Sequence, residues 1–271
     1  DEILVCDMYS ADKTVEIAGE LGAKVVYHIQ TGYVELARNF AISKASGDWI
    51  LILDADEEIP ESLTKRLQEI ANKMKQINYV EIPRKNIIFG KWMKASMWWP
   101  DYNIRFFKKG SVKWSDEIHI PPKTAGEGLK LESEEKYAII HNHYSSVSQF
   151  VERLNRYTDI QAKNLIKKEY KISWEDFITK PTGEFLGRYF ANYGYKDGLH
   201  GLALSLLQSF SFLIMYLKVW EINKFPEREI NLKELKDIRG KMGYEIDYWF
   251  KNVNLSKNPF KRFLQKARNK I

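Results

Sequence analysis

Cysteine is almost missing: Cys6 is the single one among 271 residues, so no internal disulfide can form and a reducing compartment fits. No signal peptide is visible, no internal repeat recurs, and no low-complexity linker interrupts the chain. The sequence opens on Asp1-Glu2 directly before a strand pattern, without an initiator Met, and reads as trimmed or processed. Disorder and fibrous architecture are excluded by a composition that is 44% hydrophobic and 29% charged. No nucleic-acid recognition motif is present, although the net charge of +6 calls for anionic partners. Phosphorylated substrates and acidic lipid remain. What is abundant is aromatic: eight Trp among 14% aromatic residues, most expected in the core, with exposed ones suited to sugar faces and membrane interfaces.

The first third alternates strand and helix patterns. Apolar runs at 3–6, 24–28 and 49–53 read as strands. Helices are expected after Ser10 or Asp12, over 34–46 with Leu36, Ala37, Phe40 and Ala41 on one face, and over 63–74 behind Pro60. Gly22 and Gly47 end the first two. Strand and helix in short alternation predict a mostly parallel, helix-covered sheet. Residues 78–145 carry strand-like pieces at 79–83, 104–108 and 138–141, and helical spacing dominates from Ser146. The expected division is therefore an α/β domain over 1–145 and a helical region over 146–271.

The sharpest chemical signal is Asp54-Ala55-Asp56-Glu57-Glu58, directly after the apolar run 49–53. In parallel α/β sheets, ligands bind at the carboxyl ends of strands. Asp54 and Asp56 are two residues apart, so on an extended chain they point the same way. Two such carboxylates can chelate a hard divalent cation, Mg²⁺ or Mn²⁺, which would neutralise a diphosphate leaving group. The competing reading is a solvated acidic loop capping the next helix.

These residues carry a resemblance. The stretch Asp1-Glu-Ile-Leu-Val-Cys-Asp7-Met-Tyr-Ser10-Ala-Asp12-Lys-Thr14 is similar to a strand and turn of family 2 glycosyltransferases. So are Ala37-Arg38-Asn39 and the run from Gly47 to Glu57. Pro100-Asp101-Tyr-Asn-Ile-Arg105-Phe-Phe, Ile118-His119 and the stretch from Arg188 to Gly198 resemble the subgroup of lipopolysaccharide-core β-1,4-glucosyltransferases. The resemblance spans roughly residues 1–220.

It implies a GT-A fold, a Rossmann-like α/β sheet with a helical C-terminal region, and inverting transfer of a sugar from a nucleotide-sugar, a UDP-sugar first among them. The acceptor would be a hydroxyl of a glycan or of a lipid-linked saccharide. Asp7 would contact the base or ribose, Arg38 and Arg105 the donor, and Asp54 and Asp56 the metal and diphosphate. His141 or His143 would complete the metal shell. Inversion needs a base for the acceptor hydroxyl; Glu117 and Asp116 are the candidates, with His119 behind them. Asp101, Trp99 and His119 would face the acceptor. Two departures stand out. The family's usual opening strand with a Thr/Asn/Glu-rich turn is absent, and Ile120 follows His119 where the subgroup carries Glu. A nucleotidyltransferase would need a Gly-rich triphosphate loop after the first strand, and none is found; a non-catalytic carbohydrate- or lipid-binding remnant is the other alternative.

Residues 199–220 form the most apolar stretch, interrupted by Gly201, Ser205, Gln208, Ser209, Ser211 and Lys218. A spanning helix wants about 20 nearly uninterrupted apolar residues, so a buried core helix and a membrane-surface helix are both preferred to a span. The tail carries Lys257, Lys261, Arg262, Lys266, Arg268 and Lys270 interleaved with Phe260, Phe263 and Leu264. Basic plus aromatic residues suit anionic lipid. The expected location is cytoplasmic and peripheral on the inner face of the cell membrane. Flotation with liposomes tests this: binding should require acidic lipid, weaken with salt, and fall when residues 257–271 are deleted, whereas indifference to all three would leave stretch and tail as ordinary core and surface.

Overall fold

The computed structural model describes residues 1–30, 35–115 and 121–253. They form two units: residues 1–85 with 100–142, and residues 86–99 with those from 143 onward. Residues 86–99 thus belong with the later part of the chain. The reason lies in one long strand, described below.

The first unit begins with β1 (Leu4–Asp7), α1 (Thr14–Glu20) and β2 (Lys24–Tyr27), with β1 and β2 paired in parallel. Then come α2 (Glu35–Lys44), β3 (Trp49–Leu51), β4 (Glu57–Glu58) and α3 (Glu61–Lys73). In α3, Leu63, Leu67 and Ile70 recur at helical spacing and are buried, and they pack on Val80, Ile82, Phe106 and Ile139 of the sheet.

The remaining strands are β5 (Ile77–Ile88), β6 (Lys91–Trp92), β7 (Asp101–Lys108), β8 (Val112–Lys113), β9 (Lys123–Thr124), β10 (Glu127–Lys130) and β11 (Ile139–Tyr144); among the described residues β8 and β9 pair only with each other, and the main sheet has seven strands. Its central order is β3-β7-β5-β11-β4, with β6 and β10 also on β5. The α/β architecture is the one expected, but the sheet is mixed rather than mostly parallel. Within it β5–β10 run parallel, while β3–β7, β5–β7, β4–β11 and β5–β6 run antiparallel; of the two separate pairs, β1–β2 is parallel and β8–β9 antiparallel. Strand-helix alternation stops after α3, and the later strands return beside one another without crossover helices. On β7, Phe106 and Phe107 point to opposite faces: Phe106 joins the α3 core, and Phe107 packs with Ile50, Val112 and Trp114 and with Ile42 of α2.

β5 outruns the first unit. Its last residues, Ile87 and Ile88, pair with Trp92 and Lys91 of β6. The hairpin buries Ile88 and Met93 among Tyr144, Phe150, Leu154 and Leu204, and this burial draws residues 86–99 into the second unit. That unit is helical: α4 (Val147–Lys167), α5 (Asp176–Leu186), α6 (Leu199–Ile222) and α7 (Leu232–Asn252). Ser146 caps α4 through Gln149 N, and Asn231 with Glu234 forms a capping box on α7.

The apolar stretch is α6, which packs along α4 and α5. By length and composition it can cross a membrane. Only 28% of its most apolar window is buried, and Leu206 and Phe210 are exposed, so it is not a wholly enclosed core helix. The basic tail lies outside the described residues.

Near its start α6 passes very close to the segment before it. A Cβ on Gly201 would lie 1.8 Å from Gly194 O, so no side chain fits. In an isolated helix Gly→Ala stabilises by about 1 kcal/mol. Here Gly201→Ala should reverse that sign and destabilise by roughly 1–3 kcal/mol, which thermal or urea unfolding will read; a raised midpoint would refute the close approach.

Candidate functional site

The site grows from the end of β3. Beyond Leu51 the chain does not stay extended: Glu57 N donates to Asp54 O at 2.9 Å, closing a turn with Ala55 and Asp56 at its corners. The Glu57 carboxylate returns the bond, its Oε2 accepting from Asp54 N at 3.0 Å. The premise that Asp54 and Asp56 share one direction on an extended strand is therefore corrected, because each meets different partners.

Asp54 faces two arginines. Arg38 Nη2 of α2 donates to its two oxygens at 2.9 and 3.1 Å, and Arg105 Nη2 of β7 donates to Oδ2 at 2.5 Å. Burial works to raise the Asp54 pKa, but the Arg105 and Arg38 guanidiniums override it and hold the carboxyl far below the usual range. Arg105 is almost fully enclosed, at 3% exposure. Burial opposes its charge; Asp54 and Glu57 more than restore it. Its Nη2 also donates to Glu57 Oε1 at 2.7 Å, and the same oxygen accepts from Arg84 Nη1 at 3.2 Å. Arg84 then clasps Asp101 Oδ2 through Nε at 2.9 Å and Nη2 at 2.7 Å. Three arginines and three carboxylates thus make one continuous network, with the Glu57 side chain wholly buried at its centre.

Arg105 owes its place to a β-bulge. Val80 pairs with Phe106 and Glu81 with Ile104, so β7 spends an extra residue, Arg105, against one step of β5. Arg105 O accepts instead from Ile52 N at 2.8 Å, which ties the bulge to the chain leading into Asp54.

Asp56 sits at the turn's corner, half-buried, with its backbone O accepting from Asn142 N at 2.8 Å. His141 of β11, buried, brings Nε2 to 3.6 Å from Asp56 Oδ1. His143 belongs to the second unit, where its ring stacks on Tyr144 and meets Trp98 edge-on. Among the described residues no three His, Cys, Asp or Glu side chains converge as a ready metal cage. Mg²⁺ typically takes one or two carboxylates and completes its shell with substrate phosphates and water. Asp56, with His141 beside it, fits that pattern, whereas both Asp54 oxygens already accept from guanidiniums.

Asp7, at the tip of β1, is 4% exposed. Ser10 donates to its carboxylate from Oγ at 2.5 Å and from N at 3.1 Å, and these bonds lower its pKa, the hydroxyl first. Asp7 does not cap α1; just before that helix Asp12 accepts from Thr14 N and Oγ1. Tyr9 is exposed in a left-handed conformation (φ 63°), its ring stacked on Tyr27.

Asp101 and Trp99, both assigned to the acceptor from sequence, fall in different units, the first in the Arg84 clasp and the second beside Trp92. Asp116, Glu117 and His119 lie outside the described residues. The chain leading to them is held by Asn39, whose side chain donates to Trp114 O at 3.0 Å and accepts from Trp114 N at 3.1 Å. Asn39, Glu57 and Arg84 were not among the sequence candidates. The first two stand inside the motifs quoted for the resemblance, so a signal existed. Arg84 carried none, because only sheet register brings it opposite Asp101.

This α/β unit, with an acidic turn at the end of β3 clamped by arginines, matches a family model described as Glycosyl transferase family 2 over residues 1–125. An uncharacterized glycosyltransferase of Rickettsia typhi is 30% identical over 234 residues, 82% of this chain and 79% of the relative. One from Rickettsia bellii is 29% identical over 234 residues, 82% and 78% of the two chains. The lipopolysaccharide core biosynthesis glycosyltransferase LpsC of Rhizobium meliloti is 20% identical over 237 residues, 84% and 85% of the two chains. The chain belongs to glycosyltransferase family 2.

The network carries a pH signature. A carboxylate whose folded pKa is depressed contributes stability above its unfolded pKa, about 3.9 for Asp, and loses it as pH falls toward the folded value. Asp54→Asn should cost about 2 kcal/mol with little change from pH 8 to pH 5, and the gap to wild type should shrink only below about pH 4. Urea unfolding across pH measures it; a gap that closes near neutrality would contradict the arginine clamp.

Proposed function

We propose that the protein is a metal-assisted, inverting glycosyltransferase that moves a sugar from a nucleotide-sugar, a UDP-sugar first among them, to a hydroxyl of a glycan or lipid-linked acceptor. The observation that carries the reading is the Asp54–Glu57 turn, where two guanidiniums fix one carboxylate while Asp56 stands at the corner next to His141. Ligands of such sheets bind at the carboxyl ends of strands, and this turn follows β3.

Arg38 and Arg105 supply positive charge for the donor's diphosphate, and Arg38 Nε and Arg105 Nε are buried without a hydrogen-bond partner among the described residues. Asp7 holds the base or ribose at the tip of β1. Asp56, with Asp54 behind it and His141 at its side, would hold Mg²⁺ or Mn²⁺, which supplies charge neutralisation to the leaving diphosphate. Glu117 or Asp116 takes the proton of the acceptor hydroxyl as its oxygen bonds to the anomeric carbon and the bond to the nucleoside diphosphate breaks. Asp101 and His119 contact acceptor hydroxyls.

Likeness to a relative named for lipopolysaccharide core biosynthesis supports a cell-surface glycan as acceptor. The half-exposed α6 supports a peripheral place on the cytoplasmic face of the membrane. Family membership and the arginine clamp weigh against a non-catalytic remnant or a nucleotidyltransferase, and nucleic acid is not among the proposed partners.

The test is a donor screen of UDP-, GDP- and ADP-sugars with and without Mn²⁺, on wild type and Asp56→Ala. Wild type should turn over one donor class in a metal-dependent way, and Asp56→Ala should lose at least 10²-fold in rate while unfolding at the wild-type midpoint. Wild-type turnover in Asp56→Ala would remove the metal assignment.

A further inference from the structure

The second unit holds an aromatic surface around Trp99, the one residue expected at the acceptor that the proposed chemistry leaves without a partner surface. Trp92 of β6 and Trp99 are half-buried, and their rings meet edge to face, with centroids 5.1 Å apart at 89°. In that geometry at least one ring keeps both faces outside the pair. The exposed Lys94 sets its ammonium 4.1 Å from the Trp92 centroid. Next to them Met97 is 60% exposed. Indole faces, an ammonium and a flexible thioether on one short loop make a surface that is apolar and cationic together.

The loop is held against its own strain. Ser96 and Met97 are consecutive non-glycine residues in the left-handed region, at φ 54° and 66°, a conformation costing roughly 1–2 kcal/mol per residue. It persists because the surroundings over-determine it. The buried Asp197 carboxylate accepts from Lys94 N at 3.0 Å and Ala95 N at 2.8 Å. Ser96, fully buried, donates from N to Asn192 O at 2.8 Å and from Oγ to Arg188 O at 3.2 Å, and its own O accepts from Arg188 Nη1 at 3.2 Å. These anchors come from the π-helical turn Gly187–Ala191 and the residues just after it, a rare element that recurs at functional sites. Packing alone does not call for a strained, charge-capped loop whose large side chains stay half in solvent.

We propose that Trp92, Lys94 and Trp99 form a binding site for a saccharide ring of the acceptor, with a pyranose laid on the indole face of Trp99 and Lys94 donating to its hydroxyl or acidic substituents. The proposal rests on the transferase reading for the role of that saccharide. It adds the binding surface, and Asp197 and Ser96 as the residues that position it. A sugar's C–H face is apolar and its rim is all hydroxyl, so a flat ring with a donor beside it is the complement.

The experiment is saturation-transfer NMR on the full chain with millimolar methyl glycosides of glucose, galactose, mannose and N-acetylglucosamine and their 6-phosphates, with donor turnover in water measured on the same samples. Wild type should transfer saturation to the C–H face of at least one glycoside. Trp99→Ala should lower that signal about fivefold or more, Trp99→Phe should retain part of it, and Lys94→Ala should weaken phosphorylated probes most. All three should keep the wild-type near-ultraviolet circular dichroism. No transfer to any probe, or signals unchanged in Trp99→Ala and Lys94→Ala, overturns the site. So does loss of binding to anionic vesicles with sugar binding intact, since the aromatics would then be a membrane contact. Sugar binding without donor turnover would instead sink the transferase reading and leave the surface standing.

Discussion

Arg105 is the charge around which the first unit is arranged. A guanidinium enclosed in protein must be matched, because an unpaired buried ion costs several kcal/mol, and Arg105 meets the requirement with Asp54 and Glu57. Glu57 in turn needs Arg84, and Arg84 takes Asp101. Each partner sits on a different element, so satisfying one charge fixes the turn after β3, the start of β7 and the middle of β5 together. A buried ion pair is weak as a source of net stability when set against well-packed apolar side chains. Its return here is positional: a carboxylate held ionised, and guanidiniums held in fixed places beside it.

The hydrophobic architecture serves this arrangement without touching it. Leu63, Leu67 and Ile70 clamp α3 to one face of the sheet, and Phe107 with Trp114 and Ile42 holds α2 to the other. Arg38 is carried on α2, so the packing of that helix delivers its guanidinium to Asp54. Asn39, the next residue, clips the backbone of Trp114. Neighbouring residues on one helix thus hold the turn after β3 and the backbone at Trp114.

The second unit repeats the logic at smaller scale. A single buried acid, Asp197, gathers backbone N–H groups that a strained loop would otherwise leave without partners. The near-contact of Gly201 with Gly194 lets α6 start close against the segment that supplies those anchors. There a glycine in a helix, usually a weakness, is what close packing demands.

Much of this was legible in the order of residues. Alternating apolar runs and helical spacing announced an α/β fold with a helical C-terminal region, and the acid run after 49–53 marked the candidate site. These are local properties, written in neighbours a few positions apart. The tertiary structure alone decided the rest. It made the sheet mixed, because strand partners are chosen by distant burial and not by local pattern. It moved residues 86–99 into the second unit, because Ile88 and Met93 find their apolar partners there. It turned Asp54 and Asp56 toward different partners, because the chain bends at Ala55 where local pattern had suggested extension. And it inserted Arg105 as a bulge opposite a single step of β5. A bulge is a mismatch between two strands, so neither strand's sequence can contain it alone.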